Sequence, residues 1–254
     1  MLVANVPILK WYNGSESLHR FDEYHVTNNC TPSASQLMRD ICASGAVLSA
    51  ELLSRVQHQR HLLAAPLRTL LTETSSSDDF ARGHALVLLS SWGDAETLTL
   101  LGEILVRHHD TLEPLYDLLD DTIPAYGSQA IPMLGHVLLD GAAPRASRIA
   151  VCSTLSLIGH LNPLTRRTVT RMLRAALPDT ASDYQYDPEL WSWVVVSLTE
   201  LRSHTLRKHI DQLFHAGMLD PGICGRPDDV RKALNDKLRQ ISFRDPILLY
   251  TSGQ

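Results

Sequence analysis

An all-α chain, built as an α-solenoid of antiparallel helical hairpins, is what this sequence predicts, and two observations predict it. The first is the stretch from Ala130 to Gly159, which carries two apolar runs at helical spacing separated by Asp140, Gly141 and Pro144. Two short helices of this kind cannot bury both of their faces alone and need neighbours on either side. The second is a recurrence. From Arg148 to Gly159 the chain places leucine seven residues after the arginine and glycine eleven after it, and Arg82, Leu89 and Gly93 repeat that spacing. The two copies lie 66 residues apart, two periods of 33 with one degenerate copy between them. That copy runs through Thr111, Leu112, Leu115, Leu118, Leu119 and Ile123 to Tyr126 and Gly127, and a fourth, longer one spans Pro188 to about Arg202.

The elements follow in order. Residues 1–30 read as an irregular leader punctuated by Pro7, Asn13, Gly14, Asn28 and Asn29. Thr31 and Pro32 signal a helix start, with Leu37, Met38, Ile41 and Cys42 following and Gly45 stopping it. A second helix begins near Ser49, and Pro66 is read as opening a third. Asp78 and Asp79 are placed to cap the helix to Trp92, because carboxylates favour the positive end of the helix dipole. Helices from Ala95 to Arg107, from Thr111, through the central hairpin, and from Pro163 to Ala176 come next. Pro188–Arg202, capped by Asp187, is apolar around most of its circumference and so must be covered on more than one side. A helix from about Thr205 stops at Gly217, and Pro227 starts the last one. The chain therefore divides into a leader at 1–30, one solenoid over 31–240 and a loosely attached tail at 241–254.

A period near 33 is shared by ankyrin and tetratricopeptide arrays, but the T-P-L-H turn of the one and the W-x-x-L-G-x-x-Y pattern of the other are missing. The pattern resembles short HEAT-like repeats, in which an aspartate ends one helix and an arginine opens the next, as Asp140 with Arg148 and Asp79 with Arg82 do here. In that arrangement Asp and Arg satisfy free backbone groups and each other at the hairpin corner. The run LFHAGMLDPGICGRPDDVRKAL, Leu213–Leu234, is similar to a poorly characterised bacterial HEAT-like family of unknown function, the similarity reaching back to about Pro66. The resemblance implies a right-handed solenoid. Members of that family often end in a cysteine-rich metal-binding tail, whereas only Cys224 lies near the end here, so no metal site carries over.

Composition narrows the function. The formal net charge of −5 disfavours a surface that coats nucleic acid. Four scattered cysteines form no C-x-x-C pair, the run MLVANVPILKWYNG lacks a basic leader, and no later run approaches a membrane span. A reducing, cytoplasmic setting with no membrane contact is the expectation.

Charge is separated along the chain. From Glu73 to Asp140 there are 12 acidic residues and 2 basic ones, while Pro144–Pro178 holds 6 arginines and no acid. At about 100° per residue, Arg167, Arg171 and Arg174 share one helix face, opposite Val169, Met172, Leu173 and Ala176. In HEAT-like arrays the second helices of successive hairpins line the concave wall, and the resemblance puts these arginines on such a wall with His136, Lys208 and His215. They would form a strip for an anionic partner. The same residues also fit a solvated outer face, as charge runs commonly do.

Other constellations carry less. His58 with His61, and His108 with His109 and Asp110, lack a third ligand at diagnostic spacing, so no metal is expected. Iron-binding HEAT-like hydroxylases use His-Glu dipeptides, which the chain lacks. There is no phosphate-binding, nucleophile-elbow or dinucleotide motif and no cofactor is expected. Asp117, Asp120 and Asp121 read as a solvated ridge rather than an acid and base, and the valines beside Trp191 and Trp193 place both rings in the core. A non-enzymatic scaffold for a protein partner follows. Alternatives are a HEAT-like DNA glycosylase, which would need a basic concavity, and a small-molecule adaptor similar to bilin lyases, which would need a pocket lined by His136.

Overall fold

Helices make up most of what the computed structural model describes, which is residues 33–72, 79–107, 116–179, 186–236 and 246–250 of the unit Ser33–Gln254. No strand occurs among the described residues. The expected leader at 1–30, with Thr31 and Pro32, lies outside them, as do His108, His109 and Asp110.

Local chemistry accounts for several helix ends. Helix α1, Ala34–Ala43, starts where the Ser33 hydroxyl accepts the Gln36 N–H, and α2, Ala50–His58, starts at Ser49 in the same way. Helix α3 is Arg60–Thr72, and Pro66 sits inside it rather than at its start. Burial overrides the proline signal there: Leu63, Leu67, Leu70 and Leu71 all face inward. Helices α4, Asp79–Ser91, and α5, Ala95–Arg107, are joined at Gly93, whose φ of 66° favours a residue without Cβ. After α6, Tyr116–Thr122, and a 3-10 segment at Ile123–Gln129, the central hairpin is formed by α7, Ala130–Leu139, and α8, Arg145–Leu161. Helix α9 is Arg166–Ala175, and α10, Pro188–Glu200, is capped by the Asp187 carboxylate, which accepts the Leu190 N–H. Helix α11, Arg207–His215, ends before Gly217; the short α12, Pro221–Cys224, and α13, Pro227–Asn235, follow.

The helices pack in two series. Helix α3 touches α5, α5 touches α7 and α7 touches α9; separately α4 touches α6, α6 touches α8, α8 touches α10 and α10 touches α13. Cross-contacts join α3 to α4, α7 to α8, α9 to α10 and α11 to α13. Buried apolar side chains form one continuous cluster from Leu37 to Leu234. Helix α10 is covered by α8, α9, α12 and α13, as its all-round apolar surface requires. Every residue from Ala81 to Ser90 of α4 is buried too, because α1, α3, α6, Ile123–Gln129 and the 3-10 turn Pro246–Tyr250 surround it. That turn rests on α4 with Pro246 buried.

The recurring arginines occupy matching places, each the fourth residue of its helix. Arg148 donates from Nε to the Leu138 carbonyl at 2.9 Å, satisfying one of the free acceptors at the end of α7. Asp140, the C-cap of α7, accepts the Ala142 N–H instead of meeting Arg148, so the two corner residues work separately. Arg82 is 4 % exposed, its Nε and Nη2 have no partner, and Asp79 stands 3.7 Å away. Burial pushes its pKa below the usual arginine value despite that carboxylate. Opposite outcomes are expected at these equivalent positions. Arg148→Met loses about 1–2 kcal/mol of unfolding free energy with the carbonyl cap, whereas Arg82→Met gains about 1 kcal/mol by removing a buried charge that the distant, exposed Asp79 only partly offsets. Urea denaturation of both variants checks the pair.

A second recurrence lies in the first series. An added Cβ at Gly102 of α5 would sit 2.7 Å from Met133 Cγ of α7, and one at Gly135 of α7 would sit 2.8 Å from Met172 Cε of α9. These two glycines are 33 residues apart, and each receives the methionine of the next helix in its row.

Candidate interaction site

The expected arginine strip stands on α9. Val169 and Leu173 are buried and Met172 and Ala176 pack on the core, so the opposite face turns outward. Arg167 and Arg171 are exposed and pair with no carboxylate among the described residues. Arg174 differs, since its Nη2 is hydrogen-bonded to Asp179 just past the helix and its Nη1 donates to the Leu177 carbonyl at 3.4 Å. The Arg174 guanidinium holds the Asp179 carboxyl below the usual carboxylate range. His209 of α11 lies near both, and burial and the positive charge of Arg174 push its pKa down.

The other expected strip members are exposed on neighbouring elements: His136 on α7, and Lys208 and His215 on α11, with His215 Nδ1 2.6 Å from the Asp211 carbonyl oxygen. Helices α7 and α9 come first in their pairs with α8 and α10, so His136 and the three arginines lie on the series α3, α5, α7 and α9 rather than on the second helices, and the other series carries a different surface.

That surface is a cleft of about 450 Å³ lined by α6, α8, α10 and α13. Asp120 of α6 accepts hydrogen bonds from the hydroxyls of Ser153 at 3.2 Å and Thr154 at 2.6 Å on α8. Glu200, at the end of α10, accepts one from Ser156 of α8 at 2.8 Å through Oε2. Asp236, just past α13, completes the acidic wall, and Leu157 and Ala233 supply apolar lining. Arg202 also lines the cleft. Its φ of 56° is unusual for a residue with Cβ, and its Nη1 is 3.5 Å from the Thr199 carbonyl oxygen. His160 turns its Nδ1 toward the Ser156 carbonyl oxygen at 3.3 Å.

The expected aromatic pair is split: Trp191 is 3 % exposed and Trp193 38 %. Two residues along a helix turn the side chain by about 200°, so when one ring enters the core the other leaves it. The exposed residues Glu189, Trp193 and Glu200, with the half-buried Val196, follow one another at helical spacing and form the outer strip of α10 that ends in the cleft. Glu200, Asp236, Ser156 and His160 escaped a reading of the sequence run by run, although that spacing on α10 was visible.

Neither this cleft nor a shallower one of about 340 Å³ between α3 and α5 is lined by His136. Among the described residues no three His, Cys, Asp or Glu side chains stand together in a way that could hold a metal ion. Asp121 is exposed, and the Asp117 side chain lies outside the described residues. Burial raises the Cys152 thiol to about 12 and so suppresses its thiolate. No described helix is long and apolar enough to cross a membrane. Compared with known proteins, the chain matches no family model, no curated protein and no solved structure.

Proposed function

We propose that this chain is a non-enzymatic interaction scaffold, a right-handed solenoid of HEAT-like hairpins that holds an anionic protein partner on the α9 face. One observation carries the partner's sign of charge. Arg167 and Arg171 stand a turn apart in solvent with no carboxylate partner among the described residues, while Arg68, Arg145 and Arg231 are each engaged by acidic side chains. Free guanidinium groups at i, i+4 offer forked donors to carboxylates or phosphates. Support for the solenoid comes from the two contact series and from the shared position of Arg82 and Arg148.

The test is fluorescence anisotropy with a labelled glutamate-rich peptide, beside a pull-down from the native host to identify the partner. Arg167→Glu with Arg171→Glu is expected to weaken peptide binding at least tenfold and remove the partner without changing the thermal midpoint. Equal binding by the charge-reversed protein overturns the reading. A salt-dependent DNA shift lost in the same variant would favour the nucleic-acid alternative instead.

A further inference from the structure

Three neighbouring helices, α5, α7 and α9, each present one outer strip, and the two glycine and methionine seams fix how the strips correspond. Thr99 and Glu103 stand three residues before and one after Gly102, and Pro132 and His136 hold the same places about Gly135. Pro132 and His136 also stand one before and three after Met133, as Arg171 and Ala175 do about Met172. All six residues are exposed. The face is therefore acidic on α5 and basic on α9, while α7 between them holds no Asp, Glu, Lys or Arg.

We infer that this face is where two copies of the chain meet, about a two-fold axis parallel to α7. Given the α9 arginines as the site of an anionic protein, the reading on which this step rests, that protein is the α5 strip of a second copy.

Charge complementarity selects both the occupant and the axis. A two-fold axis in the contact plane and parallel to α7 lays α5 of each copy on α9 of the other, and α7 on α7. An axis running across the helices would lay α5 on α5 and α9 on α9. Only the first joins opposite charges.

The charged groups also meet at one level. Glu103 follows Gly102, which lies against Met133, and Arg171 precedes Met172, which lies against Gly135. Those two levels on α7 differ by about 3 Å of helical rise. Glu103 of one copy thus comes opposite Arg171 of the other.

Neither group is neutralised within its own chain. Glu96, on the same α5 strip, is held by Arg68 Nη2 at 2.8 Å. Glu103 and Arg171 form no ion pair among the described residues, and Glu103 does not pair with Arg107 a turn further on. Between them, Pro132, His136 and the 48 % exposed Leu139 give the contact a centre with no carboxylate, lysine or arginine to bury. Three helices about 9 Å apart and about 15 Å long cover roughly 400 Å² per copy. A total of roughly 800 Å² belongs with weak, reversible association, which salt weakens further.

Sedimentation equilibrium of the full chain from 5 to 300 μM, in 50 mM and 500 mM salt, is the test. Wild type is expected to pass from monomer to dimer across that range, with at least fivefold weaker association in the higher salt. Glu103→Lys and Arg171→Glu, each alone, weaken it at least tenfold. The two together exchange the charges across the same contact and restore association to within threefold of wild type. Glu51→Lys, an equal charge change at an exposed position on α2, leaves it within twofold. Circular dichroism and a thermal midpoint within 2 °C of wild type establish that each variant is folded. A wild type that stays monomeric at 300 μM, or a doubly exchanged protein as weak as the single variants, overturns the inference. Anisotropy with the glutamate-rich peptide separates this failure from that of the α9 site itself. A monomeric chain that still binds the peptide through Arg167 and Arg171 keeps the site and loses only the second copy as its occupant, and a chain that does neither loses both.

Discussion

Trp191→Ala lowers the unfolding free energy by about 3–5 kcal/mol, the range for deleting a large buried aromatic side chain. Trp191 is 3 % exposed, and its ring and that of Tyr186 meet edge to face, 5.8 Å between centroids with the planes 83° apart. The Tyr186 hydroxyl in turn donates to the Gly217 carbonyl at 3.0 Å, and next to Trp191 the Ser192 hydroxyl accepts the Asp220 N–H at 2.7 Å. A cavity at Trp191 therefore loosens the way α10 holds the turn between α11 and α12, beyond the lost burial itself. The Trp193→Ala protein is the comparison, with an expected loss below about 1 kcal/mol, since its ring keeps much of its exposure in the folded state. Urea denaturation of the two variants checks the result. Similar losses would contradict the split of the pair across α10.

The second large effect is expected at Asp94, where Asp94→Ala costs about 2–4 kcal/mol. One carboxylate oxygen, Oδ2, accepts the Thr97 N–H at 2.9 Å, the Thr97 hydroxyl, and Arg68 Nη1 at 2.7 Å. It both caps α5 and binds that helix to α3. Alanine leaves the fully buried Thr97 hydroxyl unsatisfied and Arg68 with only the exposed Glu96. Burial pushes the Asp94 pKa up, but the hydrogen bonds from Thr97 and Arg68 and the Arg68 charge outweigh it and hold the carboxyl below its ordinary value. A depressed folded-state pKa means that the stabilisation is complete above the unfolded pKa and disappears as pH falls through the folded one. Wild type therefore loses this contribution below about pH 4, and Asp94→Asn, which retains a capping oxygen, lacks that acid-sensitive component. Stability measured from pH 7 down to pH 2.5 separates the two curves.

Much of the helical pattern was legible because caps and apolar spacing are local. Asp187 and Gly217 marked ends that the structure has. Pro66 misled, since the buried leucines on either side outweigh a single missing N–H. The α9 face could be read from one run of sequence, but the pairing of Arg174 with Asp179 depends on how the chain turns after the helix. The cleft was harder: it gathers residues from Asp120 to Asp236 on four helices, and no window along the chain contains them. Summing charge by segment also hid it, because Glu200 and Asp236 lie far beyond the acidic stretch.

The methionines seated on Gly102 and Gly135 give the first row a mechanical property. An unbranched thioether can follow small displacements of the backbone opposite it by rotating its own bonds, where a branched side chain would clash or leave a gap. Adjacent helices at these two seams can therefore rock slightly while staying in contact, so the row can bend without opening a gap.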